Sequence, residues 1–475
     1  MDKILSEILK IATDYRDFMW GNWMVALLVG TGILLTIITG GVQFRKFKRA
    51  LELFFTSSRE KGGKDSKNIS PFAALMTALA ATVGNGNIAG VAAAIATGGP
   101  GAPFWMWISA LFGLATKYAE GFLGVYFREK NPDGSYAGGP MYYCKKGIKN
   151  KKLGKFLGGA FAIFGGFAAL FGTGNMAQSN SMALAIDAAF KKHGLAGGFP
   201  FWISGLVITI LTGLVVIGGI KRIAAVAEKL VPAMILIYFT GTIILLAKNF
   251  SLIPKAFETI FLCAFNLKAA GGAVIGIGVK RVVSLGVSRG VLSNEAGLGS
   301  AAIAQSASWS NDPKDNGLIA MLGVFIDTIV VNTLTTLMIV VTGAWLLTPA
   351  AGGGNLTSTA LTSYALETSI PYGSIIIAVS SFIFGYTTLI GWCYYGEICW
   401  EYIFGWKSIY YYRIIYITLL FIGAVVQGKF INIVWFVGEA SNAFMAIPNL
   451  IGLILLSTLV ARETKKMYGR RNLNV

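Results

Sequence analysis

Long apolar runs separated by short polar and basic stretches dominate this chain. A helix that crosses the roughly 30 Å hydrocarbon core of a bilayer needs about 20 mostly apolar residues. Such runs fall near 21–42, 71–97, 101–127, 157–188, 199–220, 223–247, 269–290, 317–347, 371–402, 408–428 and 431–460. The pattern predicts an all-α polytopic membrane protein with about eleven transmembrane helices. Basic residues collect after the first, third, fifth and last spans, among them Arg45, Lys46, Lys48 and Arg49, then Lys145 and Lys146, then Lys221 and Arg222, then Arg462, Lys465 and Lys466. The stretches 98–103 and 348–370 on the opposite side hold none. Lys and Arg mark cytoplasmic loops, so the expectation is a multi-pass protein of the cell membrane with its N-terminus outside and its C-terminus in the cytoplasm. The charged start lacks the features of a cleavable leader, so the first span is expected to target the chain.

Two of these spans are poor helices. The second contains Thr82-Val83-Gly84-Asn85-Gly86-Asn87, and the seventh contains Gly271-Gly272-Ala273-Val274-Ile275-Gly276-Ile277-Gly278. Each Gly costs about 1 kcal/mol relative to Ala inside a helix, and Asn facing lipid is costlier still. Both segments are therefore expected to unwind inside protein, where free peptide groups can be used. The two spans lie five apart. With the first span set aside as an extra N-terminal helix, the rest divides into two five-helix halves of opposite orientation, each starting on a discontinuous helix. That five-plus-five inverted repeat is the signature of secondary transporters that bind solute where the broken helices meet. The domain organisation expected is 1–70 for the extracellular N-terminus, peripheral helix and basic loop, 71–247 for the first repeat, 248–461 for the second, and 462–475 for a basic cytoplasmic tail.

Composition agrees. Of 475 residues 55% are hydrophobic and 13% charged, against about 25% charged in a soluble domain, and the mean hydropathy is +0.65. The net charge of +18 would suggest nucleic acid on a soluble chain, but here it lies in loops beside a lipid surface. One histidine, His193, and four scattered cysteines leave little for a metal centre or a disulfide scaffold. The Gly84–Gly90 glycines miss the dinucleotide spacing, no phosphate-binding loop or nucleophilic triad is present, and no enzyme activity or cofactor is expected.

The breaks themselves carry the chemistry. Freed N–H groups around Asn85, Gly86 and Asn87 make an anion site suited to a carboxylate. The carbonyls of Ala80, Thr82 and Val83, with the Asn87 side-chain oxygen, are hard donors for a small cation. A cation beside a carboxylate stabilises both, which is a mechanism for coupling. Thr388 and Trp392 share one helix face and could serve solute or ion, or simply bond their own helix and fill the core. Phe171, Asn175 and Gln178 follow helical spacing and could line the site or form an interhelical polar cluster. Asp327, with Asn332 five residues on, is an intramembrane carboxylate and so a functional candidate, as ion ligand, as proton carrier, or as partner of Lys280 or Arg281. Lys117 and Glu120 read as a structural ion pair, Glu295 as a gate or helix-terminus residue, and Glu397 and Glu439 as interfacial.

The stretch GGPGAPFWMWISALFG at 98–113 resembles the signature of the alanine/glycine:cation symporter family, the sodium:alanine symporters, with Phe104–Trp107 as its most specific block. SNEAGLGSA at 293–301, VFIDT at 324–328 and GTGNMAQSNS at 172–181 also match. The resemblance implies a leucine-transporter-like fold and symport of alanine or glycine with sodium. It implies that the Asn85 and Gly86 amides hold the substrate carboxylate, that Asn87 and the Thr82 carbonyl bind one sodium, and that Thr387 and Thr388, with carbonyls near Ala80 and Val83, bind a second. Gly276 and Ile277 of the second glycine-rich segment are counted with Thr82, Phe171, Gln178, Thr388 and Trp392 around the substrate, and Asp327 with the ion. The function expected is secondary uptake of a small neutral amino acid with sodium. The alternatives are a passive channel or uniporter for small solutes, or a proton-coupled amino-acid symporter. The partners expected are the small neutral amino acid, sodium and membrane lipid, and no nucleic acid.

Overall fold

The computed structural model describes residues 2–59, 67–172, 174–192, 198–265 and 278–469. Apart from a short hairpin pairing Glu129–Lys130 with Tyr136–Ala137, regular structure in the described residues is helical. Local signals start several helices. Ser70 accepts the Ala73 N–H ahead of Pro71, and Asp312 accepts the Lys314 N–H ahead of Pro313, the Pro residues sitting where no intrahelical N–H is needed.

Seven described helices are long and apolar enough to cross a bilayer, eight if the bent pair Pro71–Thr82 and Gly86–Gly98 is one span. All eleven runs coincide at least in part with helix, but the count of eleven does not follow from these lengths. Phe201–Val216 has 16 residues, and the segment expected at 269–290 is described as helix only from Val279. Ala102–Tyr126 carries buried Lys117 and Glu120.

The first break stands where the glycines and asparagines place it. Pro71–Thr82 ends at Val83 in extended conformation, and the chain resumes from Gly86 bent by 50°. A further discontinuity follows the expected seventh span. The glycines at 271–277, with Gly276 and Ile277, lie outside the described residues. Val279–Asn294 is an unbroken helix, and the chain turns out of it at 295–299 before Ser300–Ser306. Glu295, Gly297 and Gly299 there have φ of 56°, 95° and 83°. A third irregularity divides the fourth span, expected to be continuous, into Lys151–Phe171 and Met176–Lys192. The eighth span widens into a π-helical turn at Phe325–Asn332, which carries Asp327; such turns gather at functional sites.

Candidate functional site

Asn87 organises the first break. Its Oδ1 accepts the Gly84 N–H at 2.8 Å, a donor that a continuous helix would give to the Ala80 carbonyl. Its Nδ2 donates to Asp327 Oδ1 at 2.7 Å and Asn332 Oδ1 at 2.9 Å. The Asn87 and Ile88 carbonyls accept from Thr335 at 2.8 Å and Thr362 at 3.0 Å. Peptide groups released by the break are thus met by side chains from other helices, as burial demands.

Asp327 binds the second broken span to the first. Its Oδ2 accepts from Ser293 Oγ at 2.9 Å and from its neighbour Thr328 at 2.8 Å, while Asn332 Nδ2 donates to Ser293 Oγ at 3.2 Å. Asp327, Asn87 and Asn332 are fully buried. Among the described residues Asp327 forms no ion pair, so its partners are neutral donors and not Lys280 or Arg281. A buried carboxylate so placed calls for a compensating cation or proton.

Above this knot lies a cavity of about 1280 Å³. Thr82, Asn85, Gly86, Gln178, Thr388 and Trp392 line it, joined by Ser293, Glu295 and Ser381. Ser381 Oγ donates to Asn85 Oδ1, which leaves the Asn85 amide nitrogen as donor. Gln178 Nε2 is buried without a partner among the described residues. At the rim Arg289 Nη1 stands 3.9 Å from Glu439 Oε1, and Arg16 Nε of the N-terminal helix Asp2–Met19 stands 3.8 Å from Glu439 Oε2.

Other expected site residues sit differently. Ala80, Val83 and Asn87 are buried behind the cavity wall. Thr387 and Thr388 donate to the Phe384 carbonyl of their own helix at 3.0 and 2.9 Å. Phe171 is not on the cavity wall; it packs beside Met176, Ile431 and Val434. Asn175 donates to the Tyr416 carbonyl at 2.9 Å, an interhelical contact. Glu397 forms a bidentate pair with Arg413 at 2.8 Å to each oxygen.

Beneath the cavity the 295–299 turn is held from three sides. Glu120 Oε1 accepts the Gly297 and Gly299 N–H groups at 3.0 Å each and Asn449 Nδ2 at 2.7 Å. Asn449 also donates to the Gly297 carbonyl at 2.8 Å and accepts from Tyr143. Lys117 Nζ donates to the Asn294 carbonyl at 2.9 Å. Lys117 and Glu120 therefore each grip the broken helix instead of pairing with one another. Sequence reasoning missed Ser293 and Ser381 as site residues, because an isolated serine in an apolar helix has no local signature; SNEAGLGSA, with its acidic residue between glycines, was the available signal for the turn.

Broken helices that meet at a buried polar centre, open to a cavity on one side and sealed on the other, define a polytopic helical membrane transporter. The sodium:alanine symporter family model matches residues 5–474, and the chain belongs to that family. It is 45% identical over 459 residues to the sodium/alanine symporter AgcS of Methanococcus maripaludis, covering 97% of each chain. It is 34% identical over 467 residues to the probable sodium/glutamine symporter GlnT of Bacillus subtilis, covering 98% of this chain and 91% of that one. Among solved structures, a manganese transporter of Eremococcus coleocola aligns over 84% of this chain and 93% of its own with 14% identity and a TM-score of 0.44.

Proposed function

We propose that this protein takes up a small neutral amino acid, alanine or glycine, together with sodium, by alternating access. The observation that carries the reading is the Asn87–Asp327–Ser293 knot, which joins both broken helices directly under the solute cavity. Substrate carboxylate would meet the Asn85 and Gly86 donors. Sodium would sit among the oxygens of the first break, with Asp327 as the countercharge that makes cation binding favourable in a low-dielectric setting. Thr387 and Thr388, with the Ala80 and Val83 carbonyls, are the donors for a second ion. Oriented by the basic loops, the cavity rim at Glu367, Ser374 and Glu439 would face outside, as in an outward-open state, and the buried turn at 294–299 would face the cytoplasm. A continuous channel does not fit such a seal.

The 45% identity to a sodium/alanine symporter and membership of the sodium:alanine symporter family support the assignment. The test is uptake of labelled alanine into liposomes with and without an inward sodium gradient. Uphill accumulation that requires sodium is expected. Asn87→Ala should lower sodium-driven uptake by at least tenfold while the purified protein stays folded and monodisperse; wild-type uptake by that variant would defeat the ion-site assignment. Asp327 favours a second reading, proton coupling, which the same assay identifies as accumulation driven by a pH gradient in sodium-free buffer.

A further inference from the structure

Lys117 is 1% exposed at the inner side of the site, an expensive place for a cation. Among the described residues it pairs with no carboxylate and makes one hydrogen bond, to the Asn294 carbonyl at the C-terminal end of Val279–Asn294, where a helix presents negative charge. From there a short chain leads to the proposed ion site. Asn294 Nδ2 donates to Thr328 Oγ1 at 3.0 Å, and Thr328 donates to Asp327 Oδ2 at 2.8 Å. Glu120 stands one helical turn beyond Lys117, Glu295 follows the Asn294 that Lys117 grips, and Asp327 lies two hydrogen bonds further on through Thr328. Three buried carboxylates thus share one fixed positive charge.

We propose that Lys117 is a positioning residue for ion coupling: a resident cation that partly balances this carboxylate group and so lowers the affinity of the site for sodium. Too tight an ion site would hold its sodium when the cavity turns inward. A fixed ammonium behind the site disfavours the bound ion without touching it, because charges in a poorly solvated interior interact over several ångströms. It also holds the end of the broken helix through Asn294. The inference rests on the sodium reading above.

The test measures sodium-dependent thermal stabilisation of purified protein alongside the sodium dependence of alanine uptake in liposomes. Lys117→Met should lower the half-saturating sodium concentration by about tenfold, the order expected for removal of one nearby unit charge, and should reduce maximal uptake as release slows. Lys117→Arg, which keeps the charge, should stay near wild type. Glu120→Gln keeps the oxygen that accepts the Gly297 and Gly299 N–H groups but removes a negative charge, so it should raise half-saturation; Lys117→Met combined with Glu120→Gln should return it toward wild type. Unchanged or weaker sodium binding in Lys117→Met overturns the proposal. If that variant does not fold, unchanged or tighter sodium binding in Glu120→Gln overturns it. A wild-type protein that shows no sodium response sinks both this inference and the reading it rests on, whereas sodium-responsive wild type with indifferent charge variants sinks this inference alone.

Discussion

At the scale of single residues, one amide and one carboxylate account for most of the site. Asn87 uses both ends of its side chain, the oxygen to hold the turn at Gly84 and the nitrogen to reach Asp327. An Asp in its place would keep the first bond and set two carboxylates side by side; a Leu would lose both. Asp327 in turn receives donors from Asn87, Ser293 and Thr328, so its charge is satisfied in hydrogen bonds but not balanced by any described cation in contact. Asp327→Asn isolates the charge from the shape. The variant exchanges charge-assisted bonds for weaker ones and turns one amide toward another, at a cost of about 1–3 kcal/mol. We expect a folded protein of lowered melting temperature whose sodium-dependent stabilisation is lost. Sodium stabilisation that persists in Asp327→Asn would exclude this carboxylate from ion binding.

At the scale of elements, the question is where helices stop. The first stop was legible because Gly84, Gly86, Asn85 and Asn87 crowd four poor helix formers into one apolar run. The same counting favoured 271–278 for the second, since glycine density is what a propensity argument sees. The described turn at 295–299 has only Gly297 and Gly299, and what makes it a turn is tertiary: Glu120 and Asn449, more than a hundred residues away in each direction, accept and donate to its peptide groups. No local pattern contains those partners. For the same reason the fold class followed from the apolar runs and Asn85 and Gly86 from the break between them, Thr388 and Trp392 were left open by spacing and placed at the site by the family resemblance, and Ser293 and Ser381 had no local signal. The turn also explains which glycines matter. A Cβ on Gly297, at φ 95°, would lie 2.6 Å from Leu28 Cδ2, whereas a Cβ on Gly159 in Lys151–Phe171 meets nothing within 4 Å. Gly297→Ala should therefore lower stability by about 1–3 kcal/mol through backbone strain and suppress uptake. Gly159→Ala should leave both intact or raise the melting temperature slightly. Equal thermal behaviour of the two variants would contradict a required left-handed turn at 297.

At the scale of the whole molecule, the cavity and the seal are two ends of one device. On the wide side the rim carries Arg289 and Arg16 near 4 Å from Glu439, half-buried pairs too far apart for a hydrogen bond. The closed side is fastened by buried bonds among Glu120, Asn449, Tyr143 and the 295–299 turn. Under the alternating access proposed above, one set must be exchanged for the other, and a change that weakens only the inner set shifts the population inward. Asn449→Ala removes two donations, to Glu120 Oε1 and to the Gly297 carbonyl. If about 1.5–3 kcal/mol of inner-side bonding goes with them, the ratio of inward-open to outward-open molecules rises roughly 10- to 100-fold. Ala93 lines the cavity and the four native cysteines are buried, so Ala93→Cys reports the open side against a low background. A membrane-impermeant maleimide added outside should label Ala93→Cys readily, and the same cysteine combined with Asn449→Ala several times more slowly. Labelling as fast or faster in the double variant would mean that the Asn449 contacts do not hold the cytoplasmic side shut, and that the seal has to be sought in other contacts of the 295–299 turn.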